Sequence, residues 1–296
     1  MPNTSVNYIS SHQPPAANHD LASPWLIFTG LDGLLTDSFA YSTKPALETL
    51  EKLKKNNIPV IFNSNKTFSE LIEIRKIINN NHPFIIENGG VICVPDGYFN
   101  SKELVDKING YAMYFLSDHY SMVIQKLHRI RQDGKLNFEG FYDWTRTDIT
   151  KKAGITQHLA LLNQQRLSSE PILWHDTAAK FEMFKAELKK YQLTLTPANK
   201  FFVITGKTSK ASAMKLLKEK YQQEYKNKIS LFALSSFAND HKMLLQADFS
   251  SVISTEKPSS TLRHCQNTFF PKQTNSEGWI ESVEYFLKNK FNQNPC

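Results

Sequence analysis

The sequence predicts an α/β fold: a doubly wound, Rossmann-like parallel sheet with an inserted α+β cap domain. Short buried-strand patterns alternate with amphipathic helices from Leu26 onward. This alternation stops at about residue 93, where longer helices and isolated strand-like pieces begin, and it resumes at about residue 198. Strands that alternate with helices are typical of a parallel sheet covered by helices on both faces.

The length and composition of the chain are consistent with a folded protein of one or two domains. The chain has 296 residues, of which 41% are hydrophobic, and this is enough for one large domain or two modest ones. Its formal net charge is +7. The lysines are scattered along helical stretches and no nucleic-acid motif accompanies them, so we expect solvated helix faces and no nucleic-acid partner.

The cysteines and the N-terminal segment exclude several protein classes. Cys93, Cys265 and Cys296 are far apart and form no Cys-x-x-Cys pair, which argues against a disulfide framework or a zinc site. Residues 1–22 are polar and contain proline, without the basic start and apolar run of a signal peptide. We expect a disordered tail at 1–22 and a soluble, cytoplasmic protein without a membrane partner.

The first part of the core is predicted from residues 23–92. Thr67 is placed to start a helix, and Ser42 is placed to cap the helix before it. In chain order, the predicted elements are strand 26–29, a helix after Ser42, strand 60–62, a helix from Thr67 and strand 84–86.

The cap is predicted over residues 93–197, and the core resumes over residues 198–290. Strand patterns in this second core segment cover 201–205, 231–234 and 251–253. The helix that ends the core has a stripe of apolar residues on one face, which consists of Trp279, Ile280, Val283, Phe286 and Leu287.

Four loops follow predicted core strands, at 30–36, 63–67, 206–210 and 235–240. Ligands and reacting groups of open α/β sheets bind at the carboxyl ends of the strands. The loops contain the stretches LDGLLTD, NSNKT, TSK and ANDHKM, and ENGG follows the third strand. A P-loop at Gly206-Lys207-Thr208 is excluded because the required earlier glycine is Phe201.

In these stretches, taken in order, the sequence resembles the haloacid dehalogenase superfamily of phosphotransferases. The stretches ENGG, NSNKT and SEPILW resemble its mannosyl-3-phosphoglycerate phosphatase subfamily more closely. The resemblance covers roughly residues 25–285. It implies Mg²⁺-dependent hydrolysis of a sugar phosphomonoester through an aspartyl-phosphate intermediate, with a phosphorylated sugar or glycerate as the small-molecule partner.

The resemblance also implies a role for each loop. Asp32 matches the acid/base that protonates the leaving oxygen and then activates water. Ser64 and Lys210 match the residues that contact the substrate phosphate. Asp240 matches a carboxylate that holds Mg²⁺, and Asp32 matches the residue whose backbone carbonyl is a further metal ligand.

Two positions depart from the pattern of the superfamily. Gly30 stands at the position of the nucleophilic aspartate, and Ser236 stands at the position of a metal-holding acid. Glycine can form no acyl phosphate, and the loss of two carboxylates is expected to weaken or abolish Mg²⁺ binding. Neither Asp32 nor Asp37 is expected to replace the nucleophile. A further departure is the stretch 198–201, where the subfamily tends to have glycine and arginine.

Arg166 and Glu170 are candidate specificity residues of the cap, because insertions of this type supply substrate contacts. A simple salt bridge between them explains the same pair of residues. For the chain as a whole, two functions of different class stay open. One is a sugar phosphatase whose turnover is weak or lost. The other is a non-catalytic, regulatory pseudophosphatase whose pocket binds a sugar phosphate or a protein partner. The oligomeric state is left open.

Overall fold

A computed structural model describes residues 24–35, 46–100, 103–236, 240–253 and 267–291. The strands of the core sheet are β1 (Trp25–Thr29), β2 (Val60–Phe62), β11 (Ser230–Ser235), β12 (Phe249–Val252) and β13 (Thr268–Phe269). Their order is β13-β12-β11-β1-β2, and all neighbouring strands are parallel. The predicted parallel α/β core is thereby confirmed.

The helices of the core cover both faces of this sheet. They are α1 (Leu47–Lys55), α2 (Phe68–Ile77), α7 (Lys210–Tyr225), α8 (His241–Gln246) and α9 (Asn275–Asn289). Alternate residues of β1 enter two different cores: Ile27 packs with Phe286 of α9, whereas Phe28 packs with Met214 of α7. A strand that is buried on both faces must be apolar throughout, which is why 26–29 carries no polar residue before Thr29.

The core sheet continues into an antiparallel sheet that the sequence did not predict. A single parallel bridge joins Asn63, after β2, to Ile85 of the next strand, β3. This second sheet has the order β3-β4-β6-β5, and its strands are β3 (Phe84–Ile86), β4 (Val91–Pro95), β5 (Asp106–Ile108) and β6 (Tyr111–Phe115). Met113 of β6 packs in the same core as Ile27.

The cap is built on a third sheet, which is antiparallel and has its own apolar core. Its strands are β7 (Phe138–Gly140), β8 (Ser169–Trp174), β9 (Leu193–Ala198) and β10 (Phe201–Gly206), in the order β7-β8-β10-β9. Its helices are α3 (Tyr120–Gly134), α4 (Arg146–Ala153), α5 (Gln157–Gln164) and α6 (Ala178–Lys190).

The assignment of strand 201–205 to the parallel core is wrong. β10 pairs antiparallel with both β8 and β9, and Ile204 lies in the apolar core of the cap. The cause is a two-residue turn at Asn199 and Lys200, in which Asn199 has a φ of 55°. A turn this short makes the two strands antiparallel neighbours. We therefore propose that the cap begins after Phe115 and ends at Gly206, which replaces the predicted limits of 93 and 197.

Several predicted helix and strand positions are confirmed, and others lie outside the described residues. Thr67 starts α2 through a reciprocal capping box with Glu70. The tail 1–22, Asp37 and the proposed cap residue Ser42 lie outside the described residues. Among the helices that the structure describes, none combines the length and the apolar character that crossing a membrane requires.

Candidate active site

The first loop begins where β1 ends, between β11 and β2. Thr29 donates its hydroxyl to the carbonyl of Gly30 at 2.8 Å, and the Trp279 indole donates to the Thr29 hydroxyl at 3.1 Å. The Gly30 amide donates to the carbonyl of Leu234 in β11 at 3.1 Å. The backbone of Gly30 is thus held firmly at the strand end, although the residue presents no side chain there.

Asp32 and Lys66 connect the first loop to the second. The Lys66 ammonium lies 2.7 Å from the Asp32 carboxylate and 3.8 Å from the Glu70 carboxylate, and its side chain is 10% exposed. Burial alone lowers the pKa of Lys66, but the two carboxylates outweigh it and raise the pKa above its usual value. Lys66 is therefore fully charged at neutral pH.

The second and third loops are joined through their backbones. Ser64 is buried and its hydroxyl accepts a hydrogen bond from the Lys66 amide at 3.2 Å. The amide of Glu87 donates to the Lys66 carbonyl at 3.0 Å, and that of Asn88 donates to the Ser64 carbonyl at 3.0 Å. Ser64 therefore lies in a turn of the second loop that hydrogen bonds hold on two sides.

The third loop in turn contacts the start of α7. Gly89 has a φ of 90°, and a Cβ added there would lie 2.3 Å from the Ser209 carbonyl oxygen. The Thr208 hydroxyl donates to the Gly89 carbonyl at 2.8 Å, and the Asn63 side-chain Nδ2 donates to the Lys210 backbone carbonyl at 3.0 Å. Only glycine permits this close approach, which sets the position of Lys210.

Lys210 and Asp240 connect α7 to the fourth loop. The Lys210 ammonium lies 2.9 Å from the Asp240 carboxylate, which also accepts a hydrogen bond of 2.5 Å from the Ser235 hydroxyl. Asp240 precedes α8 but makes no capping hydrogen bond with it. Its carboxylate is held by Lys210 and Ser235 instead, so it faces the site.

Ser236 completes a closed ring of loops. Its hydroxyl donates to the backbone carbonyl of Asp32 at 3.4 Å, which joins the fourth loop back to the first. The structure thus brings the predicted positions 30, 32, 64, 210, 236 and 240 into one ring of loops. The prediction that loop 206–210 follows a core strand is wrong, since β10 belongs to the cap. Lys210 reaches the ring because it is the first residue of a core helix.

Arg166 lies at the junction of the cap with this ring, whereas Glu170 lies inside the cap. The Arg166 guanidinium donates to the Ser169 hydroxyl at 2.8 Å and to the Asn163 side-chain oxygen at 3.2 Å. Its positive charge opposes the rise in the pKa of Lys66 that Asp32 and Glu70 cause. Arg166 and Glu170 each form hydrogen bonds with other residues and not with each other. The alternative prediction of a simple salt bridge between them is therefore wrong.

Glu170 is buried and accepts hydrogen bonds from the Tyr120 hydroxyl at 2.9 Å and from the Tyr142 amide at 2.8 Å. Burial raises the pKa of Glu170 to about 7, and these hydrogen bonds oppose the rise. The surroundings of its carboxylate are cap residues throughout. Glu170 therefore supports the cap from within and does not belong to the ring of loops.

Sequence reasoning missed Lys66 and Glu87. Lys66 lies two residues after Ser64, and a lysine so close to a loop serine was the available signal. Glu87 lies in the ENGG stretch and is buried. Its carboxylate accepts hydrogen bonds from the amides of Leu167 (2.8 Å) and Ser168 (2.9 Å) and from the Ser169 hydroxyl (2.7 Å). Glu87 thereby ties the core to the cap.

Comparison with known proteins agrees with this arrangement. The family model for haloacid dehalogenase-like hydrolases matches residues 27–259, which is most of the chain. The chain belongs to the haloacid dehalogenase-like hydrolase family. A glucosyl-3-phosphoglycerate/mannosyl-3-phosphoglycerate phosphatase from Persephonella marina is 27% identical over 272 residues, which cover 92% of this chain and 100% of the relative. The predicted superfamily and the subfamily resemblance are confirmed.

Solved structures of this hydrolase family share the fold. A haloacid dehalogenase-like hydrolase from Bacteroides thetaiotaomicron superimposes with a TM-score of 0.61 at 17% identity, covering 88% of this chain and 98% of the other. A subclass IIB sugar phosphatase of the superfamily gives a TM-score of 0.61 at 10% identity, with the same coverage. The Rossmann-like core with its cap is therefore the fold of this family.

Phosphatases of this family generally use Mg²⁺, and the residues of this chain fit that ion poorly. Of the two oxygen donors that remain, the Asp32 carbonyl accepts from Ser236, and the Asp240 carboxylate accepts from Lys210 and Ser235. Within the described residues, no group of three or more His, Cys, Asp or Glu side chains is placed to hold a metal ion. Magnesium prefers several oxygen ligands in octahedral geometry, and this donor set does not supply them.

Proposed function

We propose that this chain binds a phosphorylated sugar or sugar-glycerate in the ring of loops and releases its phosphate slowly or not at all. The proposal depends on one observation. Gly30 offers no nucleophile at the end of β1, while the carboxylate of Asp32, two residues later, is paired with Lys66 at 2.7 Å. Removal of a covalent nucleophile lowers kcat by on the order of 10³–10⁶.

The phosphate-binding part of the site is better preserved than the catalytic part. Ser64 lies in a loop held by hydrogen bonds from Glu87 and Asn88, and Lys210 is fixed by the close contact of Gly89 with Ser209. Both side chains therefore lie in ordered positions in the same ring. A protein can lose turnover and keep ligand affinity in this way, since binding and covalent chemistry depend on different groups.

The polar side chains at the junction of core and cap favour a ligand that carries an acidic or polar group beside its phosphate. Within the described residues, three buried polar atoms there have no hydrogen-bond partner: Asn88 Nδ2, Arg166 Nε and Ser168 Oγ. Each belongs to the segments that Glu87 ties together. Buried polar atoms are normally satisfied, so these three leave unused hydrogen-bonding capacity at the junction. Arg166 is the cation among them and matches a carboxylate such as that of a glycerate.

The experiment compares binding with turnover on the same protein. Mannosyl-3-phosphoglycerate and glucosyl-3-phosphoglycerate should raise the melting temperature of the unmodified chain, because a ligand that binds only the folded state stabilises it. Phosphate release should stay near the level of a protein-free sample. Rapid release that Asp32→Asn abolishes would show a working phosphatase and contradict the proposal.

A further inference from the structure

Two lysine–carboxylate pairs lie in the ring, and one of them occupies the Asp240 carboxylate, to which a divalent cation would bind. The Asp240 carboxylate is engaged by the Lys210 ammonium at 2.9 Å, and the Asp32 carboxylate by the Lys66 ammonium at 2.7 Å. The side chains of Lys210 and Asp240 are 11% and 4% exposed. A cation that bound the Asp240 carboxylate would have to displace the buried Lys210 ammonium from it.

The other carboxylates near the ring already have partners of their own. One Glu70 oxygen accepts from the Thr67 amide and hydroxyl, and the other lies 3.8 Å from Lys66. Glu87 accepts three hydrogen bonds from the cap. The Glu70 carboxylate therefore caps α2, and the Glu87 carboxylate joins the core to the cap.

We propose that this site binds its phosphate group without a divalent cation, through the charges of Lys66 and Lys210. This inference depends on the proposed function, because it assumes that phosphate binds in the ring of loops. A lysine ammonium paired with a carboxylate keeps its positive charge, and a phosphate dianion is attracted to that charge. Since both lysines are mostly buried, the attraction is screened less than it would be at the surface.

Calorimetric titration with inorganic phosphate tests the inference directly. Phosphate should bind the unmodified chain with the same affinity in EDTA and in excess Mg²⁺, and Mg²⁺ alone should leave the melting temperature unchanged. Binding that occurs only with Mg²⁺ would overturn this inference and leave the proposed function intact. No phosphate binding under either condition would overturn the proposed function itself.

A paired substitution tests the lysine without leaving a buried charge unpaired. Lys210→Met/Asp240→Asn removes one cation and one carboxylate together, which keeps the net charge of the protein. We expect phosphate binding to weaken by about tenfold or more, because a charge-assisted contact is lost. Lys207→Met, at an exposed lysine three residues earlier, is the control and should bind phosphate unchanged. Equal affinity in both variants would contradict the role of Lys210.

A second variant tests the inference from the opposite direction. Gly30→Asp/Ser236→Asp adds two negative charges to the ring, and one divalent cation neutralises two charges. Phosphate binding in this variant should weaken in EDTA and recover in Mg²⁺, while the unmodified chain responds to neither. If the affinity of the variant is also indifferent to Mg²⁺, the oxygen donors do not control metal binding and the inference is wrong.

Discussion

The Lys66 ammonium lies 2.7 Å from the Asp32 carboxylate, and the two side chains are 10% and 21% exposed. The pair connects the first loop to the second at the end of the central strand. The role predicted for Asp32 from the family resemblance is to exchange protons with the leaving oxygen and with water. Here its carboxylate faces a lysine that stays charged at neutral pH, and Gly30 supplies no group that would need such an acid.

Restoring both missing carboxylates should restore turnover. In Gly30→Asp, the added Cβ would lie 3.6 Å from Leu34 Cδ1, which is an ordinary contact, so the backbone at position 30 accepts a Cβ without moving. We expect Gly30→Asp/Ser236→Asp to release phosphate from a sugar phosphate at least about 10³-fold faster than the unmodified chain in Mg²⁺. A panel of sugar phosphates, assayed for released phosphate, measures the gain.

Gly30→Ala is the matched control, because it adds the Cβ without the carboxylate. It should remain as inactive as the unmodified chain. If Gly30→Ala gains as much activity as the double variant, the carboxylate is not the missing group.

Glu87 should be a main determinant of the attachment of the cap. In the wild-type protein, the Glu87 carboxylate accepts hydrogen bonds from three donors. Glu87→Gln replaces one carboxylate oxygen with an NH₂ group, which cannot accept, so at least one of these donors is left unsatisfied. We expect the free energy of unfolding to fall by about 1–3 kcal/mol. Hydrogen exchange should show weaker protection of the Leu167 and Ser168 amides.

Glu73→Gln provides a matched control at another core–cap contact. Glu73 in α2 lies 2.9 Å from His158 in α5, but this pair is exposed to solvent. Loss of this exposed pair should lower the free energy of unfolding by less than about 1 kcal/mol. Similar losses for the two variants would mean that burial of Glu87 carries no special weight.

The stability of the protein should fall as pH rises through the titration of Glu170. Burial raises the pKa of Glu170 from 4.5 to about 7. Between these values the folded protein keeps a proton that the unfolded chain has lost, so the free energy of unfolding decreases with rising pH. The whole effect is at most about 3 kcal/mol, present below pH 4.5 and lost above pH 7.

Urea unfolding at several pH values, with Glu170→Gln beside the unmodified chain, measures this effect. Glutamine does not titrate, so the variant should lack this component and gain relative stability as pH rises. Glu182→Gln, at an exposed residue of α6, should follow the unmodified chain. Parallel profiles for the Glu170 variant and the unmodified chain would rule out a raised pKa.

Gly89 should tolerate alanine much less well than Gly97 does. Both residues have positive φ values, 90° and 76°, but a Cβ on Gly89 would lie 2.3 Å from the Ser209 carbonyl oxygen, and one on Gly97 meets nothing within 4 Å. Gly97→Ala should therefore lower the free energy of unfolding by only about 1–2 kcal/mol, the cost of a positive φ for a residue with a Cβ. Gly89→Ala should lower the free energy of unfolding by about 1–3 kcal/mol more, because the added Cβ clashes with the Ser209 carbonyl. Urea unfolding compares the two, and equal losses would show that the close approach relaxes freely.

Local sequence patterns determined much of the core and which loops form the candidate site. The apolar run 26–29, the capping box at Thr67 and the apolar stripe of the last helix each depend on residues close together in the chain. They were predictable because burial on both faces, helix capping and helical periodicity leave direct marks on the sequence. The vacant position at Gly30 was likewise visible from the sequence alone.

Only the tertiary structure decided which residues meet across the loops. The pairs of Lys66 with Asp32, of Lys210 with Asp240 and of Glu87 with the cap join segments 30 or more residues apart. Strand 201–206 joined the cap because its two-residue turn made it a neighbour of β9, although its apolar pattern also suited the core. Pairing partners depend on chain geometry and not on local composition, so the sequence left them undetermined.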